Sequence, residues 1–119
     1  MINHLVLTLP MRTVSEANQR EHWTKRNKRK QAQQKEVMAE WKHWIGTGRV
    51  NLPCRVTFTR YSSKLLDTDN LAGSMKHARD MVSKLLGVDD GPTAPVEWVY
   101  RQEQIKKRQH RVQIEVQSL

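Results

Sequence analysis

Asp67-Thr68-Asp69-Asn70, then Lys76, then Asp89-Asp90-Gly91 are the residues whose types and spacing point to chemistry. An Asp-x-Asp places two hard oxygen ligands on one side of an extended segment, because side chains alternate there with period two. Hard carboxylates suit Mg²⁺ or Mn²⁺ better than a softer metal. The chain around them is strongly basic, with 21 Lys plus Arg against 12 Asp plus Glu and a formal net charge of +9. Closely spaced acids in such a chain fit a divalent cation held against a polyanion, and the charge balance favours nucleic acid or an anionic surface over acidic proteins or neutral ligands.

Other chemistries lack their residues. There is no phosphate-cradling glycine loop and no Ser/His/Asp arrangement. The five histidines show no ligand spacing, and one cysteine, Cys54, makes neither a disulfide nor a zinc finger. Cys54 sits in an apolar alternation and reads as a small core residue. What remains is metal-assisted hydrolysis. A carboxylate-held Mg²⁺ polarises a scissile phosphate and acidifies an attacking water. Lys76 offsets charge that grows on the phosphate oxygens. No small-molecule cofactor is called for.

The elements that must position these residues follow from periodicity. Leu5, Leu7 and Leu9 alternate with His4, Val6 and Thr8 up to Pro10 and predict a first strand. Residues 11–22 have no clean period and read as a loop. A long helix starts near Trp23, carries apolar residues at Val37, Met38, Trp41, Trp44 and Ile45, and ends at Gly46 and Gly48. Trp41 and Trp44 are expected in the core or at a dimer interface. Cys54, Val56 and Phe58 mark a second strand. Leu71, Met75, Ala78, Val82 and Leu85 mark a second helix, capped by Asp69 or Asn70 and closed by Gly87. Val96 to Glu103 is a third strand, with Trp98 and Tyr100 on one face. Val112, Ile114 and Val116 mark a fourth, with Lys106-Lys107-Arg108 as a basic hairpin tip between the two. The order is β-α-β-α-β-β, an α/β (α+β) fold of one domain over residues 1–119, with a small mixed sheet packed against two helices.

At 100° per residue from Asp69, the apolar positions of the second helix span roughly 160° to 240°, and Lys76 and Asp80 fall within about 20° of Asp69. On an unbroken helix, Asp69, Lys76 and Asp80 therefore share a polar line opposite the core. About sixteen helical residues separate the two acidic turns by roughly 24 Å. The second pair must fold back to share one metal, or meet the first pair of a partner subunit.

Each of these groups also has a plainer role. Asp67 and Asp69 suit a loop and a helix cap, and Asp89-Asp90 suits a turn. Lys76 can bridge Asp80 at i+4. The run Lys25-Arg26-Asn27-Lys28-Arg29-Lys30 holds five cations in six residues. It reads as phosphate-backbone contact, with a solvated face as the rival. Lys106, Lys107 and Arg108 read as a second phosphate contact or as edge protection.

Hydrophobic content is 37%, so either much of the surface is polar or burial is completed by a partner subunit. No run approaches a membrane span, and Met1 to Leu5 lacks the charged start and apolar stretch of a signal peptide, so a cytoplasmic location is expected.

Asp67-Thr68-Asp69-Asn70-Leu71, then Lys76 and Asp80, then Gly87-Val88-Asp89-Asp90-Gly91, resembles the RusA family of Holliday junction resolvases, and its phage and prophage branch in particular. Leu9-Pro10 and Asn18-Gln19-Arg20 are similar to the family's N-terminal pattern, so the likeness extends over most of the chain. It implies a homodimeric, Mg²⁺-dependent endonuclease that cuts four-way DNA junctions, with Asp67, Asp69 and Asp90 as catalytic metal ligands and Lys76 as the catalytic lysine. DNA contact by Asn18 and Arg20 is implied as well. One spacing differs: Asp69 to Lys76 is three residues longer than in the bacterial prototype, through Ala72-Gly73-Ser74. Two other classes stay open. One is a basic nucleic-acid-binding phage protein without catalysis. The other is an interaction protein that uses Trp41 and Trp44 to pair with a partner helix.

Overall fold

The computed structural model describes every residue except Asp90, and all side chains but those of Asp90 and Asn18. Strand β1 (His4–Leu9) buries Leu5, Leu7 and Leu9 and stops before Pro10. Within the loop that follows, Glu16–Asn18 forms a 3-10 turn. Met11, Thr13, Ser15 and Glu16 are buried, so the segment packs down despite having no period.

Helix α1 (Trp23–Ile45) starts at His22, whose ring accepts from the Thr24 amide at 3.2 Å, and ends at Gly46 with φ 57°. It is about 34 Å long. Only Gln33, Val37 and Trp41, one stripe at i, i+4, i+8, are buried. Trp44 falls off that stripe. It is 61% exposed and donates to Glu40 at 3.1 Å, so it is no core residue, whereas Trp41 is.

Strand β2 (Cys54–Ser62) follows, then α2 (Thr68–Ser74), α3 (Lys76–Leu86), β3 (Val96–Gln104) and β4 (Arg111–Ser118). The expected single second helix is two helices, joined at Met75 with φ −99° and ψ 3°. Gly73 favours helix weakly, and the Ser74 hydroxyl bonds back to the Leu71 carbonyl at 2.7 Å. The apolar face survives the break, since Leu71, Met75, Ala78 and Val82 are all buried. The polar line does not survive it, because the 100° step from Asp69 to Lys76 requires continuous helix.

The sheet order is β1-β4-β2-β3, with β2 and β3 parallel and the other pairs antiparallel. Hence β3 and β4 are not a hairpin. The segment from Ile105 to His110 crosses the end of β2 instead, where Ile105 N–H donates to the Ser62 carbonyl at 2.9 Å. Burial explains the order. Val112, Ile114 and Val116 are fully buried and give β4 a central place, between β1 and β2. β3 offers half-buried aromatics and takes the edge.

The buried faces of the strands join α1 and α3 in one core around Phe58, whose ring stacks on Trp98 and Tyr100 at centroid distances of 6.0 and 5.6 Å. Cys54 lies in this core, and burial pushes its thiol pKa up. The result is an α+β domain with three helices and a four-stranded mixed sheet. Among the described residues no helix is long and apolar enough to cross a membrane.

Candidate active site and nucleic-acid interface

The pairing directions make β1, β2 and β3 run the same way, so their carboxyl ends share one edge of the domain. Side-chain hydrogen bonds staple the segment after β2 to that edge. The Gln102 amide on β3 accepts from the Leu66 N–H at 2.9 Å and donates to the Leu66 carbonyl at 2.6 Å, as a neighbouring strand would. Arg60 on β2 donates to the Lys64 carbonyl at 2.7 Å, and Gln104 to the Ser63 carbonyl at 3.0 Å.

Asp67 comes next and is the N-cap of α2, in place of the expected Asp69 or Asn70, because the helix already begins at Thr68. Its Oδ1 accepts from the Asn70 amide at 3.0 Å. The Ser15 hydroxyl donates to Asn70 Oδ1 at 2.7 Å and ties α2 to the 3-10 turn. Asp69 is in the first helical turn, so the pair spans a cap and a helix and does not alternate along an extended segment as expected. Both carboxylates are exposed, and among the described residues neither forms an ion pair.

Lys76 opens α3 and is exposed in a groove between α1 and α3, with Trp23, Arg26, Asn27, Lys30, His77 and Asp80. The same groove continues past Lys30 and Asp80 to Ser83, Lys84 and Asp89. The structure therefore brings Lys76, Asp80 and Asp89 to one groove, while Asp67 and Asp69 lie outside its lining. Among the described residues no Lys76–Asp80 ion pair forms, and no three His, Cys, Asp or Glu side chains gather as a metal-holding group. Asp90, the expected third ligand, lies outside the described residues, as does the Asn18 side chain. Arg20 is exposed beside Gln19.

Of the basic run, Lys25, Arg26, Lys28 and Lys30 are exposed. Arg29 turns inward. It donates to Glu16 from Nε at 2.7 Å and from Nη2 at 2.6 Å, and also to Glu21. His77 Nε2 lies 3.4 Å from the same Glu16 carboxylate. Burial disfavours the Glu16 charge, but the Arg29 bonds and charge, with His77, outweigh it and hold the pKa below its ordinary value of 4.5. A depressed folded pKa stabilises the fold above the ordinary value, and this contribution is lost as pH falls through the lowered one. Thermal melts on lowering pH below 4.5 should therefore show a shallower loss for Glu16→Gln than for wild type; parallel curves would remove Glu16 from the acid response.

Lys106, Lys107 and Arg108 lie on the crossing segment, and all three are exposed. Lys107 and Arg108 line a cleft with Arg12, Arg60, Lys64 and His110, and Leu66 reaches the same cleft. Arg12, Arg60, Lys64 and Gln102 were not picked out by spacing. One sign was present: Arg60 continues the apolar face of Cys54, Val56 and Phe58, a charge where the period calls for a core residue. A scan against protein-family models finds no match for this chain, and a search of curated proteins finds no significant match.

Proposed function

We propose that this chain is a Mg²⁺-dependent endonuclease that resolves four-way DNA junctions by phosphodiester hydrolysis, acting in the cytoplasm as a homodimer. The observation that carries this reading is the state of Asp67 and Asp69. In a chain of net charge +9, both carboxylates are exposed without an ion-pair partner among the described residues, on a stapled segment at the shared carboxyl edge of three strands. The motif resemblance to RusA resolvases supplies the substrate class.

The donor set fits a hard cation in part. Asp67 keeps Oδ2 outside its capping bond, Asp69 adds a second carboxylate, and Asp90 would add a third. A Mg²⁺ held there supplies Lewis-acid polarisation of the phosphate and activation of the attacking water. Lys76 neutralises charge on the phosphate oxygens from the head of α3. Lys25, Arg26, Lys28 and Lys30 hold backbone phosphates along the first turns of α1, with Arg20 and Lys106 as flanking cations. Cleavage of a synthetic four-way junction with and without Mg²⁺ tests the reading directly; intact junction at saturating protein and Mg²⁺ rejects it.

The helix surface carries its own prediction. Replacing Lys25, Arg26, Lys28 and Lys30 by Gln, with Arg29 kept for its bonds to Glu16, should weaken junction binding. The slope of log K against log salt should fall by about 0.9 for each phosphate contact removed. An unchanged slope in fluorescence anisotropy assigns these cations to a solvated face.

A second reading is a nucleic-acid-binding protein without catalysis. It is favoured by the separation of Asp80 and Asp89, in the α1–α3 groove, from Asp67 and Asp69, on α2. Metal-dependent cleavage separates the two readings, whereas binding alone does not.

A further inference from the structure

Arg60 is 6% exposed and has no acidic partner among the described residues. Buried charges are ordinarily paired, because the low-dielectric interior makes a lone one costly. Its three hydrogen bonds all go to neutral oxygens: Nε to Thr13 Oγ1 at 3.1 Å, Nη1 to the Lys64 carbonyl at 2.7 Å and Nη2 to the Thr13 carbonyl at 3.3 Å. A guanidinium has five N–H donors, so two remain. Burial, and the charge of Arg12, push its pKa below the ordinary arginine value, the signature of a cation lacking an anion.

Arg60 lines a cleft of about 650 Å³ together with Arg12, Lys64, Lys107, Arg108 and His110. Among the described residues no Asp or Glu lines it, and Ser62 and Ser63 add hydroxyls to the wall. Five obligate cations around one concavity repel each other until an anion enters. The fork geometry of two arginines suits a tetrahedral phosphate. The volume exceeds one phosphate and admits a nucleotide.

We propose that this cleft is a phosphate-binding site for a nucleic-acid strand, with Arg60 as its buried anchor and Arg12, Lys64, Lys107 and Arg108 as its rim. It sits beside Leu66, the residue before Asp67, so a strand held there passes the carboxylate pair. Recognition rests on the cations alone and does not require Mg²⁺ or cleavage.

The test is titration of inorganic phosphate, thymidine 5′-monophosphate and thymidylyl-thymidine, which has only an internal phosphodiester, into the full chain without metal. The readouts are calorimetry and the Arg60 Nε–H resonance. The resonance should move to saturation, and Arg12→Gln/Arg108→Gln should weaken binding about tenfold with an unchanged circular dichroism spectrum. The Lys35→Gln/Lys42→Gln control, at two exposed cations of α1 outside the cleft, should bind phosphate as wild type does. Tighter binding of the monophosphate assigns the site to a strand terminus, and tighter binding of the dinucleotide assigns it to an internal backbone position. An Arg60 resonance unmoved at saturating phosphate overturns the proposal. Equal weakening by both double variants also overturns it, because binding would then be diffuse. The titrations use neither metal nor junction, so saturable phosphate binding by a protein that cuts no junction keeps the cleft and removes the nuclease reading, and the two proposals fail separately.

Discussion

Asp69→Asn is expected to bind a four-way junction as tightly as wild type and to cut it about a thousandfold more slowly. Metal assistance contributes several kcal/mol of transition-state stabilisation, and each 1.36 kcal/mol is a factor of ten in rate. Asn preserves the shape and removes one hard anionic ligand. The fold tolerates the change, because Asp69 is exposed and unpaired among the described residues. Its loss from the first turn of α2 removes at most a helix-dipole contribution of about 0.3–1 kcal/mol. Asp67→Asn should behave alike, since Asn caps a helix about as well as Asp. A quench-flow or gel assay under single-turnover conditions measures the rate, and anisotropy measures binding. Wild-type rate in both variants would sink the carboxylate assignment. Loss of binding without a change in rate would assign Asp69 to substrate contact instead.

The largest stability effect should come from Phe58→Ala, a loss of about 3–5 kcal/mol. Phe58 is fully buried and stacked between the edge strand's aromatics and the central sheet. Domains of this kind are stable by about 5–15 kcal/mol, so one ring carries a substantial share. The melting temperature should drop by about 10–20 °C, at roughly 3–5 °C per kcal/mol for this chain length. Thr57→Ala, one residue away on the partly exposed face, should change stability by about 0.5 kcal/mol or less. The consequence reaches the site. Trp98 and Tyr100 rest on Phe58, and Arg79 packs 4.6 Å over Trp98 and donates to the Tyr100 hydroxyl at 2.8 Å. Gln102, two residues further along β3, staples Leu66. A loosened β3 therefore loosens the segment that presents Asp67. A drop below 5 °C in a thermal melt would mean that the sheet collapses onto the cavity at little cost.

Much of the architecture was legible because its signals are local. Leu5, Leu7 and Leu9, the face Cys54-Val56-Phe58, and Val112, Ile114 and Val116 alternate with period two and are buried as that period requires. Leu71, Met75, Ala78 and Val82 keep helical spacing and are buried across a break that periodicity does not register. That a helix begins at this motif was legible for the same reason, although the cap is Asp67 and not the expected Asp69 or Asn70.

The rest was decided by contacts between residues far apart in the chain. Period two says which face of a strand is apolar and nothing about its neighbours, so adjacency in sequence suggested a β3–β4 hairpin that burial overrules. Arg29 is one of five similar cations until Glu16, thirteen positions earlier, is folded against it. Arg60 meets Thr13 across 47 positions, and Gln102 meets Leu66 across 36. By itself the sequence determined the four strands, the long first helix, the apolar face of the second helical region and a helix start at the Asp-x-Asp motif, because each rests on residues within a turn or a strand of one another. The tertiary structure alone decided which cations are spent inside, which line the cleft beside Asp67, and that Lys76, Asp80 and Asp89 share a groove apart from Asp67 and Asp69. Those outcomes depend on how the strand ends and helices meet in space, which no local period encodes.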